Sequence, residues 1–450
     1  MKSKKTISIF FAVIMAVFCF PQFGGKAEAA TTNYTRAMTQ YSNIVNVADY
    51  GIDTSGKRDC AVQITKLVKS LAKERTDESE PIVLYFPTGK YIVKDIIKLY
   101  YNNVHLIAEK DTVVTAKKSI KNIIEANNVD NVSVLGGKWD GNYKSKYIIK
   151  VNKATNITVS ECTLTRSSER GFYAIASEAS VYSIKSFKNK KYGVSGIQGS
   201  NITMKNSNIY QNSVYGLCIV SSTIHMEDGN NKIYNNDYTG AAISGKSGKI
   251  YASNNSFTGN GKKNDSRGHG IGISGAYGEL SNNKIEKNKQ CGISFDNKGS
   301  AIITNNSIKN NGRHGIGAAN KSSITAEGNT ITGNKWHGIM LRDKSTGTLT
   351  NNALSKNKLS GLNLTRSTAT LTGNTFYANK SNGIMAAGSK ATLTNNTITK
   401  NKAFGIYTSD SSKINLISGN VVKSNSKGDI DAGGSKVTIG KDNTVKKIVN

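Results

Sequence analysis

Proline is almost missing from this chain: three in 450 residues, against 43 glycines. With so few, nothing blocks ladder hydrogen bonds over long stretches, while glycine supplies turns; the balance suits many short strands. Long apolar runs are missing too. The one from Ile7 to Phe20 is too short for an ordinary membrane span, and no later stretch could cross a bilayer. Cysteine is sparse, and its spacing gives no metal motif. Of Cys60, Cys162, Cys218 and Cys291, the last three fall in different columns of separated coils, where mutual bridges are geometrically unfavourable, so free buried thiols are expected. Acidic residues are the last shortage, with 30 Asp and Glu against 60 Lys and Arg.

The beginning of the chain reads as a secretory signal over residues 1–29. Lys2, Lys4 and Lys5 precede the apolar run, and Ala27-Glu28-Ala29 offers small residues for cleavage near Ala29. The remainder is expected to be a secreted, extracellular bacterial protein and a monomer. Removing that segment takes away four lysines and one glutamate, a net three charges, so +30 becomes +27. Such an excess points to an anionic partner, an acidic polysaccharide or an anionic cell-wall polymer. Nucleic acid is the less favoured partner, because no nucleic-acid-binding module is recognisable.

A Gly-Ile phrase recurs along most of the chain. It appears at Gly193, Gly216, Gly270, Gly292, Gly315, Gly338, Gly361, Gly383 and Gly405, and from Gly270 the steps are 22, 23, 23, 23, 22 and 22 residues. A period that short means one solenoid coil per repeat. Three apolar columns run down the repeats. One holds Ile271, Ile293, Ile316 and Ile339; a second holds Ile285, Ile308, Ile331 and Leu354; the third holds Leu280, Ile303, Ala326, Leu349 and, at its far end, Ile417. Three inward-facing strands per coil describe an all-β, single-stranded parallel β-helix, right-handed by the preference for right-handed crossovers. Two asparagine columns mark its turns, one through Asn306 and Asn329, the other through Asn311 and Asn334. Stacked Asn can bond backbone and one another, so these columns are read as structural. Ahead of the coils, Ile64, Leu67, Val68 and Leu71 have helical spacing, with Asp59 as N-cap, and strands follow at Ile82–Phe86 and Tyr91–Val93. Residues 30–98 are therefore expected to form an N-terminal helical cap and residues 99–450 the β-helix.

Asn46-Val47-Ala48-Asp49-Tyr50-Gly51 and Leu84-Tyr85-Phe86-Pro87-Thr88-Gly89 resemble the start of pectate-lyase-superfamily β-helix proteins. Gly136-Gly137-Lys138-Trp139-Asp140-Gly141 resembles an early coil of polygalacturonase-like relatives, and Trp336-His337-Gly338-Ile339 resembles coils of alginate-epimerase-like repeats. The resemblance implies a carbohydrate-active protein, and Ca2+ enters as a cofactor by that resemblance only. It carries over no catalytic set. Gly268-His269-Gly270 matches a polygalacturonase segment, but no paired-Asp coil precedes it and no Arg-Ile-Lys follows; the Asp-Pro-His-Asp motif of the epimerases is absent.

Function is expected where the repeat is decorated. The residue before each repeat glycine gives a column through Arg170, Tyr192, Tyr215, His269, His314 and His337. Six extra residues within Gly261–His269 bring Lys262, Lys263, Asp265 and Arg267 to its edge, and solenoid insertions often lie on the binding face. Arg313, Arg342 and Asp296 complete the neighbourhood. A zinc site is a weaker reading, since acidic ligands are scarce. A hydrolase needs two flanking carboxylates, and only Asp265, Asp296 and Asp343 offer themselves, in different columns. A uronide lyase instead needs cations for the sugar carboxylate and a base for the adjacent proton. The expectation is thus a polysaccharide lyase with His314, His337 or His269 as base and Arg313 on the carboxylate. Arg267, Lys262, Lys263, Arg342, Tyr192, Tyr215, Asp296 and Asp265 would hold substrate. The rival is a non-catalytic binder of anionic glycans.

Overall fold

The computed structural model describes residues 33–263 and 266–449. Each coil lays down three short strands, and every named strand pairing is parallel to the coil before and after. The first sheet, 16 strands with one per coil, contains Ile271–Ser274, Ile293–Asp296, Ile316–Ala318 and Ile339–Arg342. The second contains Tyr277–Ser281 and Ser300–Thr304, and the third Lys284–Glu286 and Ser307–Lys309. Two long early strands, Val104–Ala116 and Val132–Asp140, run through both of these and join them into one network of 32 strands. Residues pair one coil apart, as in Ile293↔Ile316↔Ile339, so side chains of one column stack about 4.8 Å apart. The result is the right-handed parallel β-helix, with one core cluster running from Val47 to Ile430.

The apolar columns fill that core as the spacing predicts, with one correction. Ile417 is 43% exposed, whereas Leu416 is fully buried. The register shifts between Leu393 and Thr394, and the extra residue turns Ile417 out of the core and Leu416 into it.

Both asparagine columns are buried ladders. Asn334 shows the logic. Its Oδ1 accepts from the backbone N–H and the Nδ2 of Asn311, both at 3.0 Å. Its Nδ2 donates to the Ile308 carbonyl at 3.3 Å and to Asn357 Oδ1 at 3.0 Å. Each amide is thereby satisfied from both neighbouring coils, which is why so polar a column tolerates burial. The repeat glycine follows from this turn. A Cβ on Gly315 would lie 2.4 Å from Ile331 Cγ2, 2.6 Å from the Gly338 carbonyl oxygen and 2.9 Å from Asn334 Nδ2. Only glycine lets the chain pass this close to the next coil.

At the other end, the helix is Ala61–Glu74, and its buried Ala61, Ile64, Leu67 and Val68 join the same core as the first coils. Cys60 rather than Asp59 is the N-cap residue, and its side chain makes no capping bond. Asp59 still contributes, because its Oδ1 accepts from the N–H of Ala61 at 3.2 Å and of Lys94 at 2.9 Å. The parallel ladder already runs through Ile44↔Val83↔His105, so pairing is continuous across residues 98 and 99. Cys60, Cys162, Cys218 and Cys291 are free thiols. The expected signal segment lies outside the described residues.

Candidate functional site

The decorated column lies on the outer face of the first sheet. The pairings Tyr147↔Arg170↔Tyr192↔Tyr215 fix it in register, and strands such as Ile271–Ser274 alternate buried and partly exposed residues, so the column two past the glycine also faces outward. Two clusters occupy this face.

The first gathers around Arg170. Its guanidinium carbon is 3.8 Å from the centre of the Tyr173 ring, 5.6 Å from Tyr147 and 5.4 Å from Tyr192. Tyr192 stacks on Tyr215 at 5.5 Å with an interplanar angle of 5°. Burial pushes the Tyr192 phenol up to about 12, so it stays protonated at neutral pH. Arg170 Nε and Nη1 are buried without a hydrogen-bond partner.

The second cluster holds the histidines. His314 and His337 stack with centroids 5.4 Å apart and rings 8° from parallel, and Trp336 meets His314 edge-on at 5.3 Å. Arg313 lies over the Trp336 ring at 4.7 Å. His314 is 1% exposed, and neither of its nitrogens has a partner. Burial above all, then the nearby charges of His337 and Arg313, pushes its pKa down to about 2. Burial likewise lowers His269 and His337 to about 4. All three imidazoles are therefore neutral at pH 7.

A neutral imidazole has one lone pair to offer as base, and in two of the three it is occupied. The backbone N–H of Ser360 donates to His337 Nδ1 at 3.1 Å, and the backbone N–H of Cys291 donates to His269 Nδ1 at 3.3 Å. His337 Nε2 faces the Asn363 side-chain amide at 3.2 Å. His314 keeps its lone pair but lies beneath its neighbours. This geometry holds histidines in place and leaves little of them for proton abstraction.

The structure disperses several other expected residues. Arg267 turns back onto the preceding coil, its guanidinium carbon 4.2 Å from the Tyr238 ring. Lys263 pairs with Asp237 at 3.6 Å, and Lys262 is exposed on the same loop. Asp296 sits at the opposite edge of the sheet, accepting from Asn320 Nδ2 at 2.6 Å. Arg342 is at that edge too, paired with Asp343 at 2.7 Å, and Asp343 also binds Arg366. Asp265 lies outside the described residues.

Tyr147, Tyr173 and Asn363 also belong to the face, with Arg170 from the decorated column and Trp336 from the repeat motif, none of which the sequence alone gives a role. Arg170 and Tyr173 stand in the aligned columns, so weight on arginine beside tyrosine would have found them. Tyr147 precedes Ile148 rather than a repeat glycine and carries no such signal. Among the described residues, no group of three His, Cys, Asp or Glu is placed to hold a metal ion. Calcium wants six to eight oxygens, which this basic, aromatic face does not supply. Nor is any helix among the described residues long and apolar enough to cross a membrane.

The model of the family described as right handed beta helix region matches residues 94–263, 192–338, 229–369, 269–421 and 314–450. No curated protein sequence matches the chain. Among solved structures, it is similar to the A-module of an Azotobacter vinelandii mannuronan C-5 epimerase, at 15% identity, over 90% of this chain and 100% of that one, with a TM-score of 0.37. It is similar to a periplasmic alginate epimerase, AlgG, at 13% identity, over 91% and 84% of the two chains, with a TM-score of 0.37. The Streptococcus pneumoniae surface protein and adhesin PfbA matches at 13% identity, over 82% and 99%, with a TM-score of 0.40.

Proposed function

This chain belongs to the right-handed beta helix family, and from that premise we propose that it binds an anionic, uronic-acid polysaccharide outside the cell. The binding surface is the outer face of the first sheet, from Arg170 to Asn363. One observation carries the reading. Arg170, Arg313, His314 and Ser360 on this face hold six buried side-chain polar atoms that lack a partner among the described residues. Buried polar groups are normally satisfied, so the cluster calls for a partner, and its half-buried arginines are the groups a ligand can reach. Its chemistry fits a carboxylated sugar: guanidinium donors for the carboxylate, with Tyr192, Tyr215 and Trp336 as apolar ring faces.

The reading is one of binding without turnover. A lyase must remove the proton beside the carboxylate, and the lone pairs of His269 and His337 are committed to backbone N–H groups. Tyr192, the other expected participant, is a phenol held protonated by burial. The test is a panel of pectate, alginate and glycosaminoglycans. Retention that weakens with salt, without new ultraviolet-absorbing unsaturated products or loss of viscosity, is the expected result. Unsaturated products would restore the lyase reading, and failure of every polyuronate to bind would remove both.

A further inference from the structure

A second basic surface lies around the corner from this face, at the turn that leads from the third sheet to the first. Lys335, Lys358, Lys380 and Lys402 each directly follow a ladder asparagine, and their backbone N–H groups bond one coil back, to the carbonyls of Asn311, Asn334, Asn357 and Asn379. They therefore stand on four consecutive coils, one lysine every ~4.8 Å along the axis. Lys356 and Lys400 flank the same asparagines on the other side, and all six lysines are exposed. None of the six pairs with a carboxylate among the described residues. The turn segments 333–336, 356–359, 378–381 and 400–403 contain no Asp or Glu at all. Like charges stacked this closely repel one another, and the fully bonded asparagine ladder beneath holds them in place.

We propose that this edge is a docking track for a linear phosphodiester polymer of the poly(glycerol phosphate) type, separate from the polysaccharide face. The choice of cation points that way. The first-sheet face sets arginine forks beside aromatic rings, which suits a charged group held at a fixed angle to a sugar ring. The track uses lysine alone from 335 to 402, and lysine meets phosphate as a point charge on a flexible stem. A backbone phosphate carries its charge at every pH the protein meets, and a row of them along an extended chain can engage successive coils without reading the units between. Attraction of this kind rests on released counterions and weakens steeply with salt.

The test compares the full chain with the quadruple variant K335Q/K358Q/K380Q/K402Q, titrated with a defined poly(glycerol phosphate) and with polygalacturonate over a range of salt. The four positions are exposed, so the variant's melting temperature serves as the check on folding. The expected result is that the phosphate polymer binds the unaltered chain. In the variant the slope of log Kd against log salt falls by about 3, at roughly 0.7 for each single-strand phosphate no longer neutralised. Polygalacturonate affinity is expected to change little, and K298Q/K321Q/K344Q at the opposite corner should keep the full slope. No binding of the phosphate polymer, or an unchanged slope in the quadruple variant, overturns the proposal. An equal loss of polygalacturonate binding also overturns it, by assigning the track to carboxylated sugars. Because the first-sheet arginines are untouched, failure here leaves the polysaccharide reading standing.

Discussion

Replacing His314 by phenylalanine should make this protein more stable, and more so in acid. His314 is 1% exposed, stacked on His337, and neither ring nitrogen has a partner. An unsatisfied buried polar group costs about 1–3 kcal/mol, and a ring of similar shape without nitrogens removes that cost. Stability at pH 7 should therefore rise by about 2 kcal/mol. The pH dependence adds a second signature. The folded-state pKa is about 2 against an ordinary 6.5, so below pH 6.5 the unfolded chain takes up a proton that the folded one refuses. Stability is thus complete above 6.5 and is lost as the pH falls toward the folded value, at about 1.4 kcal/mol per pH unit. Between pH 7 and pH 5 each such imidazole removes about 2 kcal/mol. His269 and His337, lowered to about 4, act the same way over that interval. Urea unfolding at the two pH values measures both effects. H314F should gain about 2 kcal/mol at pH 7 and about 4 at pH 5. A variant that is less stable at pH 7, or that loses as much in acid as the unaltered chain, would refute the burial argument.

Other substitutions separate scaffold from surface. Asn334→Ala strands the backbone N–H and Nδ2 of Asn311 and the Ile308 carbonyl, three buried groups, and should cost at least about 3 kcal/mol in urea unfolding. Leu416→Ala should cost about 2–5 kcal/mol. Ile417→Ser next to it should stay within about 0.5 kcal/mol, because the bulge exposes that side chain; the reverse order would contradict the bulge.

Most of the scaffold was legible because its causes are local and repeated. Glycine is required where Gly315 passes within reach of the next coil, and asparagine where a turn amide must serve two neighbours. Each requirement returns every 22 or 23 residues from Gly270 to Gly405. The bulge at Leu416 was not legible, since a single extra residue leaves the apolar composition of the strand unchanged. The site was half legible. Column alignment brought His269, His314 and His337 onto one face with Tyr192 and Tyr215, where the structure also puts them. It could not show that backbone N–H groups occupy two imidazole lone pairs, nor that Arg267 folds back on Tyr238, because both depend on side-chain direction. Arg170 was visible in the column, but its weight comes from burial among three tyrosines.

The most direct test of the central claim is the affinity of alginate and polygalacturonate for the paired variant R170M/R313M, measured by titration calorimetry at low and physiological salt. Methionine keeps much of each apolar stem and removes the guanidinium donors. If the first-sheet face holds the polymer, the variant should fold normally and bind at least tenfold more weakly, about 1.4 kcal/mol, at both salt concentrations. Unchanged affinity in a folded variant would place the polysaccharide elsewhere on the rod and contradict the account.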